Sequence, residues 1–227
     1  MEPTTPEVGL CVVHLFAKLG PGADREAIVA ATKRVEAADG QIVSVAMVGH
    51  KADVAFMALH PDLVVLRRFQ TDLGAAGLDI VDSYVSLTEV SEYAAGVPER
   101  MRQMRLYPKL PPKAKPAWCF YPMSKRRDPG GQNWYATPFE RRREMMEAHG
   151  TTGRKFAGRI LQLVTGSTGL DDWEWGVTLF GAHVDDLKEV VYTMRYDRAS
   201  AHYAEFGSFY TGVCGPLDEV LDTVGLG

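Results

Sequence analysis

The densest run of chemically capable side chains is Tyr121-Pro122-Met123-Ser124-Lys125-Arg126-Arg127, with Asn133-Trp134-Tyr135 close behind it. A phenol can donate a proton, or give up an electron and a proton together. The cations Lys125, Arg126 and Arg127 suit a ligand bearing several carboxylates, because ammonium and guanidinium groups bind oxyanions through charge-assisted hydrogen bonds. The same pattern also describes an amphipathic tyrosine at a core edge followed by a solvated loop. Local spacing leaves both readings open.

His149 falls at the predicted end of a helix, on a face shared with Phe139, Met145 and Met146. A neutral imidazole there can ligate haem iron in an apolar pocket, or simply sit against the negative end of the helix dipole. Arg195 and Ser200 could give one carboxylate a charge-assisted bond and a hydroxyl, and Arg105 could serve another, although isolated arginines mostly join surface ion pairs. The remaining histidines (His14, His50, His60, His183, His202) lack the mutual spacing of a zinc site. The three cysteines, Cys11, Cys119 and Cys214, form neither a disulfide framework nor a metal pattern, and read as buried reduced thiols. No phosphate loop, catalytic triad, paired-carboxylate signature or nucleophile elbow is present.

These residues need a scaffold, and 227 residues suffice for one large domain or two small units sharing a core. A net charge of -4 argues against a general nucleic-acid binder. No apolar run is long enough to cross a bilayer, and Met1–Glu7 lacks the pattern of a signal peptide. A cytoplasmic protein without membrane or nucleic-acid partners is the expectation.

Hydrophobic periodicity predicts a strand over Gly9–Lys18, a helix over Arg25–Ala38 capped by Asp24, and strands Ile42–Val48 and Ala52–Ala58 around the turn Gly49-His50-Lys51. A helix over Pro61–Leu73 stopped by Gly74, and a strand over Ile80–Leu87, complete a βαββαβ order. Five prolines between residues 92 and 116 suggest a connector crossing the surface. The order then repeats. A strand Trp118–Pro122 is followed by a polar loop Ser124–Tyr135 and a helix from the Thr137–Glu140 capping box to about His149, before Gly150. Strands Leu161–Thr165 and Glu174–Phe180, a helix Val184–Arg195 and a strand Phe206–Val213 follow. The expected organisation is α+β. An N-terminal ferredoxin-like unit (8–90) serves structure and interface, 91–116 connects, and a C-terminal unit (117–227) carries the chemistry. The two sheets are expected to pair or close into a barrel whose interior could hold a ligand.

Taken together, YPMSKRR, NWY, Glu147-Ala148-His149-Gly150, TGSTGLDDWEWGVTLF and MRYDRASAHYAEFGSFYTG resemble the coproheme decarboxylase (HemQ, haem synthase) branch of the chlorite dismutase superfamily, in its actinobacterial form. The resemblance is strong over about residues 103–213 and topological before that. It implies a dimeric α+β barrel of two ferredoxin-like halves, assembled as a homopentamer. It also implies hydrogen-peroxide-dependent oxidative decarboxylation of iron coproporphyrin III (coproheme) to haem b, as the last step of haem biosynthesis, with a ferrochelatase as a transient supplier of substrate. Residue by residue, it implies Tyr121 as the catalytic, radical-bearing tyrosine and His149 as the iron ligand. Lys125 falls on the propionate-binding lysine and acts in catalysis, beside Ser124. Arg105, Arg195 and Ser200 fall on carboxylate-binding positions, and Gln162 on the distal glutamine. Some members use a distal histidine as the base that cleaves peroxide, whereas this chain has no histidine between His60 and His149. A chlorite-splitting haem enzyme, which needs a distal arginine, and a non-catalytic haem carrier or sensor are the alternatives.

Overall fold

The structure is a computed structural model that describes residues 1–94 and 96–227. Its first half runs β1 (Cys11–Leu19), α1 (Arg25–Ala37), β2 (Gln41–Val48), β3 (Val54–His60), α2 (Leu63–Ala75) and β4 (Leu78–Thr88). Both helices begin at an aspartate whose carboxylate accepts an otherwise unpaired backbone N–H: Asp24 from Ala27 at 3.1 Å and Asp62 from Val64 at 2.9 Å. The segment read as a connector crossing the surface contains α3 (Glu99–Leu106), and its prolines flank the helix rather than interrupt it. The second half comprises β5 (Ala117–Lys125), α4 (Phe139–Arg154), β6 (Ile160–Gly166), β7 (Trp175–Gly181), α5 (Val184–Met194), α6 (Arg198–Ala201), β8 (Ala204–Phe206), β9 (Tyr210–Gly215) and α7 (Leu217–Thr223).

The strands of the first half pair in the order β4-β1-β3-β2, and those of the second in the order β6-β7-β5-β9. Each is the antiparallel arrangement of a ferredoxin-like unit. The two sheets join edge to edge twice, β2 to β9 and β4 to β6, so they close into a barrel, with β8 added beside the end of β5. Closure leaves few free strand edges.

β1 shows how one strand serves two layers. Val12 and Phe16 point into the barrel, where they meet Val43, Val45, Trp118, Phe120 and Phe180. The alternate residues Cys11, Val13, Leu15 and Ala17 pack outward against α1, α2 and α7 through Ile28, Leu66, Phe69 and Leu221. A period of two with both faces covered produces the nearly continuous apolar run in the sequence. The barrel interior is filled by stacked aromatics, Phe16 against Tyr210 at 3.8 Å and His14 against Phe120 at 4.1 Å between ring centroids. It is therefore not the ligand chamber expected from the sequence. The chamber lies outside the barrel, between the second sheet and its helices.

Several elements depart locally from expectation around this chamber. β5 extends to Lys125, so that lysine belongs to a strand and not to a loop. α4 continues five residues beyond His149, through Gly150 and Gly153, which puts the imidazole in the body of the helix and not at its end. The expected capping box does not form either, because Pro138 occupies the cap position and the Thr137 hydroxyl donates to the Asn133 carbonyl at 2.9 Å. The single strand expected over Phe206–Val213 divides into β8 and β9.

Candidate functional site

The register of the second sheet sets out one wall of the chamber. Gln162, Leu179 and Cys119 lie side by side across β6, β7 and β5; Val164, Val177 and Tyr121 form the next row, and Gly166, Trp175 and Met123 the third. Directly opposed residues of an antiparallel ladder share a face, so Tyr121 and Gln162 face the same way. α4 and α5 lie over this face and contribute Met146, His149, Val190 and Met194. Between sheet and helices is a cavity of about 680 Å³, within the size range of pockets for small molecules and cofactors.

Tyr121, Lys125, His149, Arg105, Gln162, Arg195 and Ser200 all line this cavity. Ser124 does not; its hydroxyl accepts the Glu174 backbone N–H at 3.2 Å. The Tyr121 ring is buried, stacked on Phe209 at 4.5 Å and edge-on to Phe206 at 5.6 Å. Burial, with the nearby Cys119, raises its pKa far above the ordinary phenol value. The hydroxyl therefore keeps its proton throughout the physiological range.

Lys125 is buried too. Its Nζ donates to the Ala199 carbonyl at 2.7 Å and lies 4.7 Å from the Trp134 ring centroid, a cation–π contact. Burial lowers its pKa to about 8, against the opposing pull of Asp197 and Glu174. Arg105 reaches the cavity from the last turn of the exposed α3. Arg195 spreads over Tyr192 and Tyr196, 4.2 and 5.2 Å from their centroids.

His149 Nδ1 is hydrogen-bonded to Asp197 Oδ2 at 2.8 Å. With Nδ1 as the donor, the lone pair resides on Nε2, the arrangement that orients imidazole as a metal ligand. Asp197 also accepts the Ser200 backbone N–H at 3.0 Å and the Ser200 hydroxyl at 3.3 Å, so it caps α6 while it holds His149. Burial pushes the Asp197 pKa up, but the hydrogen bond from His149, the Ser200 N–H and the Lys125 charge outweigh it, and the net shift is downward. Sequence reasoning did not single out Asp197. Its local signal was the Asp-x-x-Ser spacing of a helix start, which says nothing about His149.

The first half and the connector also contribute to the chamber, through Glu89, Glu92 and Tyr93. Glu92 pairs with Arg142 at 3.0 Å, and the same guanidinium donates to the Tyr93 hydroxyl at 2.7 Å. Trp134 is buried against Met145 and Ala199, with Tyr93 and Tyr203 packed on it. Among the described residues no cluster of His, Cys, Asp and Glu suits a metal held by protein groups alone, and no helix is long and apolar enough to cross a membrane.

A closed barrel of two ferredoxin-like sheets, with an oriented histidine opposite a buried tyrosine in an apolar chamber, defines a specific class of α+β protein. The family profile described as chlorite dismutase matches residues 24–215, and the chain belongs to that family. The match reaches well into the first half, beyond the segments that carried the motif resemblance. A protein of Natronomonas pharaonis whose name marks it as a heme-binding candidate is 38% identical over 243 residues, covering 93% of this chain. The chain spans 40% of the length of that curated relative. A structure described as a novel heme-binding protein from Thermus thermophilus is 35% identical, with a TM-score of 0.86 over 99% of both chains. A mutant chlorite dismutase from Candidatus Nitrospira defluvii shares the fold, at 22% identity and a TM-score of 0.77 over 96% of this chain and 97% of that one.

Proposed function

We propose that the chain binds an iron porphyrin in this chamber and, with hydrogen peroxide, removes two propionate carboxyls from iron coproporphyrin III to give haem b. The observation that carries this reading is the convergence of Tyr121, Lys125 and His149 on one apolar cavity. The residues fit such a group. His149, oriented by Asp197, offers Nε2 to iron; Val177, Leu179, Val190 and Met194 offer apolar surface to a macrocycle; Arg105, Lys125 and Arg195 offer cations to carboxylates. The bound iron would supply activation of peroxide.

Tyr121 would do the work on the substrate. Its protonated phenol loses an electron and a proton, and the resulting radical takes a hydrogen atom from a propionate β-carbon. Loss of one further electron breaks the bond to the carboxylate. Each cycle consumes one peroxide, one proton and one propionate, and releases a vinyl group, carbon dioxide and two waters. Lys125, whose pKa burial lowers to about 8, is still mostly an ammonium at neutral pH and can bind the carboxylate through its charge. Asp197 keeps the imidazole in one tautomer while this proceeds.

The test is to titrate the protein with ferric coproheme, add peroxide stepwise and follow porphyrin mass. Loss of two carboxyl groups in sequence is expected, and an unchanged mass refutes the reading. Tyr121→Phe should bind coproheme with unaltered affinity but convert it at least about 10²-fold more slowly. Near wild-type conversion by that variant removes Tyr121 from the mechanism.

A further inference from the structure

Glu89 is a carboxylate with no obvious structural reason to be where it is. It follows directly on β4 and lines the chamber, yet no cation pairs with it among the described residues, whereas Glu92, three residues on, is neutralised by Arg142. Trp175 Nε1 donates to Glu89 Oε1 at 3.0 Å. Space for the carboxylate exists because residue 166 is glycine: a Cβ there would collide with Glu89 Oε2. Gly166 and Trp175 form the third row of the sheet face, next to the row that holds Val164, Val177 and Tyr121. Glu89 therefore sits on the sheet side of the chamber, about 7 Å along the strands from the Tyr121 row, while His149 enters from the helix side.

An unpaired anion on the wall of a site for a polycarboxylate would repel that ligand if its sole purpose were packing. It has a purpose if it carries a proton. We propose that Glu89 is the proton-handling residue of the chamber: as carboxylate it takes a proton from hydrogen peroxide, and as carboxylic acid it returns that proton to the oxygen that leaves as water. The step balances: peroxide plus carboxylate gives hydroperoxide anion plus carboxylic acid, and the returned proton and the departing hydroxide make one water. The second oxygen, with its two oxidising equivalents, would pass to the iron porphyrin, to be spent on the propionate with release of the second water. Glu89 is open to the solvent that fills the chamber, yet the protein packed around it raises its pKa and the Trp175 hydrogen bond only partly offsets this, so the proton is held at higher pH than on a free glutamate. Its direct neighbours, Trp175 on β7 and Gly166 on β6, do not titrate. The charged groups elsewhere on the chamber wall are Arg105, Glu92, Lys125 and Arg195, and the other titratable ones are His149, Tyr93, Tyr121 and Tyr135.

The inference rests on the iron-porphyrin reading, and its test does not require turnover. Hydrogen cyanide must lose a proton to bind ferric haem, so its association rate reports a base near the iron. Glu89→Gln keeps the size and the Trp175 contact. In the haem-loaded protein it is expected to slow cyanide association on the order of 10²-fold below neutral pH and to abolish a carboxyl ionisation visible in the wild-type rate profile. Haem affinity should stay the same. Gly166→Ala, which displaces the carboxylate without removing it, should slow association in the same direction. Carbon-13 NMR of glutamate-labelled protein without porphyrin should show one upshifted carboxyl titration that vanishes in Glu89→Gln. Cyanide kinetics and pH profile unchanged in Glu89→Gln, with haem bound normally, overturn the role of Glu89 and leave the iron-porphyrin reading intact. A wild-type chain that binds no porphyrin overturns both.

Discussion

Lys125 shows how a residue placed for chemistry costs stability. Its ammonium is buried on Ala199 and Trp134, and its pKa falls to about 8 from 10.5 because burial disfavours the charge. Below pH 8 both folded and unfolded chains carry the proton, and the folded state bears the desolvation cost. Between pH 8 and 10.5 the unfolded chain holds a proton that the folded chain has released, so folding becomes more favourable as pH rises. The shift corresponds to roughly 3 kcal/mol. Urea unfolding of wild type and Lys125→Met at matched pH should show the difference in stability moving toward the wild type by about that amount across this window. A difference that stays flat would mean that Lys125 is as well solvated in the fold as in the unfolded chain.

The elements explain which parts of the site could be read in advance. β1 through β4 and their helices announce themselves by period and cap, with Asp24 and Asp62 doing what their positions predict. α4 does not. Gly150 looks like a stop, but the left-handed glycine after this helix is Gly158, at φ +84°, and the helix runs on to Arg154. Met194 of α5 lies 3.7 Å from where a Cβ on Gly153 would be, so packing between helices accompanies the extension where propensity opposes it. Tyr121, Lys125 and His149 were legible only as members of a family pattern, since a phenol, an ammonium and an imidazole taken singly look ordinary. Asp197 and Glu89 were illegible because their significance depends on partners 48 and 86 residues away. Gly150→Ala separates propensity from packing. The space around residue 150 is open apart from the Arg154 guanidinium at 3.7 Å, so the substitution should stabilise the chain by about 0.5–1 kcal/mol. That is a rise of roughly 1–4 °C in Tm, seen by calorimetry, and a fall would show that the glycine meets a constraint beyond propensity.

At the scale of the whole molecule, the two ferredoxin-like halves do not own separate cores. Phe16 belongs to β1 in the first half, yet it stacks on Tyr210 and touches the Trp118 and Phe120 rings of the second. The seams are unequal, five register pairs between β2 and β9 but two between β4 and β6, so closure depends on this shared interior as well as on ladder bonds. All four tryptophans, Trp118, Trp134, Trp173 and Trp175, lie in the second half, so fluorescence reports on that half, with Trp118 also sensing the interior it shares with Phe16. Phe16→Ala removes a fully buried ring and should cost about 3–5 kcal/mol, lowering Tm on the order of 10 °C. If the barrel unfolds as one cooperative unit, the tryptophan midpoint must fall together with the far-ultraviolet circular dichroism midpoint, although the substitution is in the other half. A tryptophan transition that stays at the wild-type temperature while the circular dichroism splits into two steps would show that the halves fold independently. The chamber, which draws Glu89 from one half and His149 from the other, would then survive loss of the first sheet only in part.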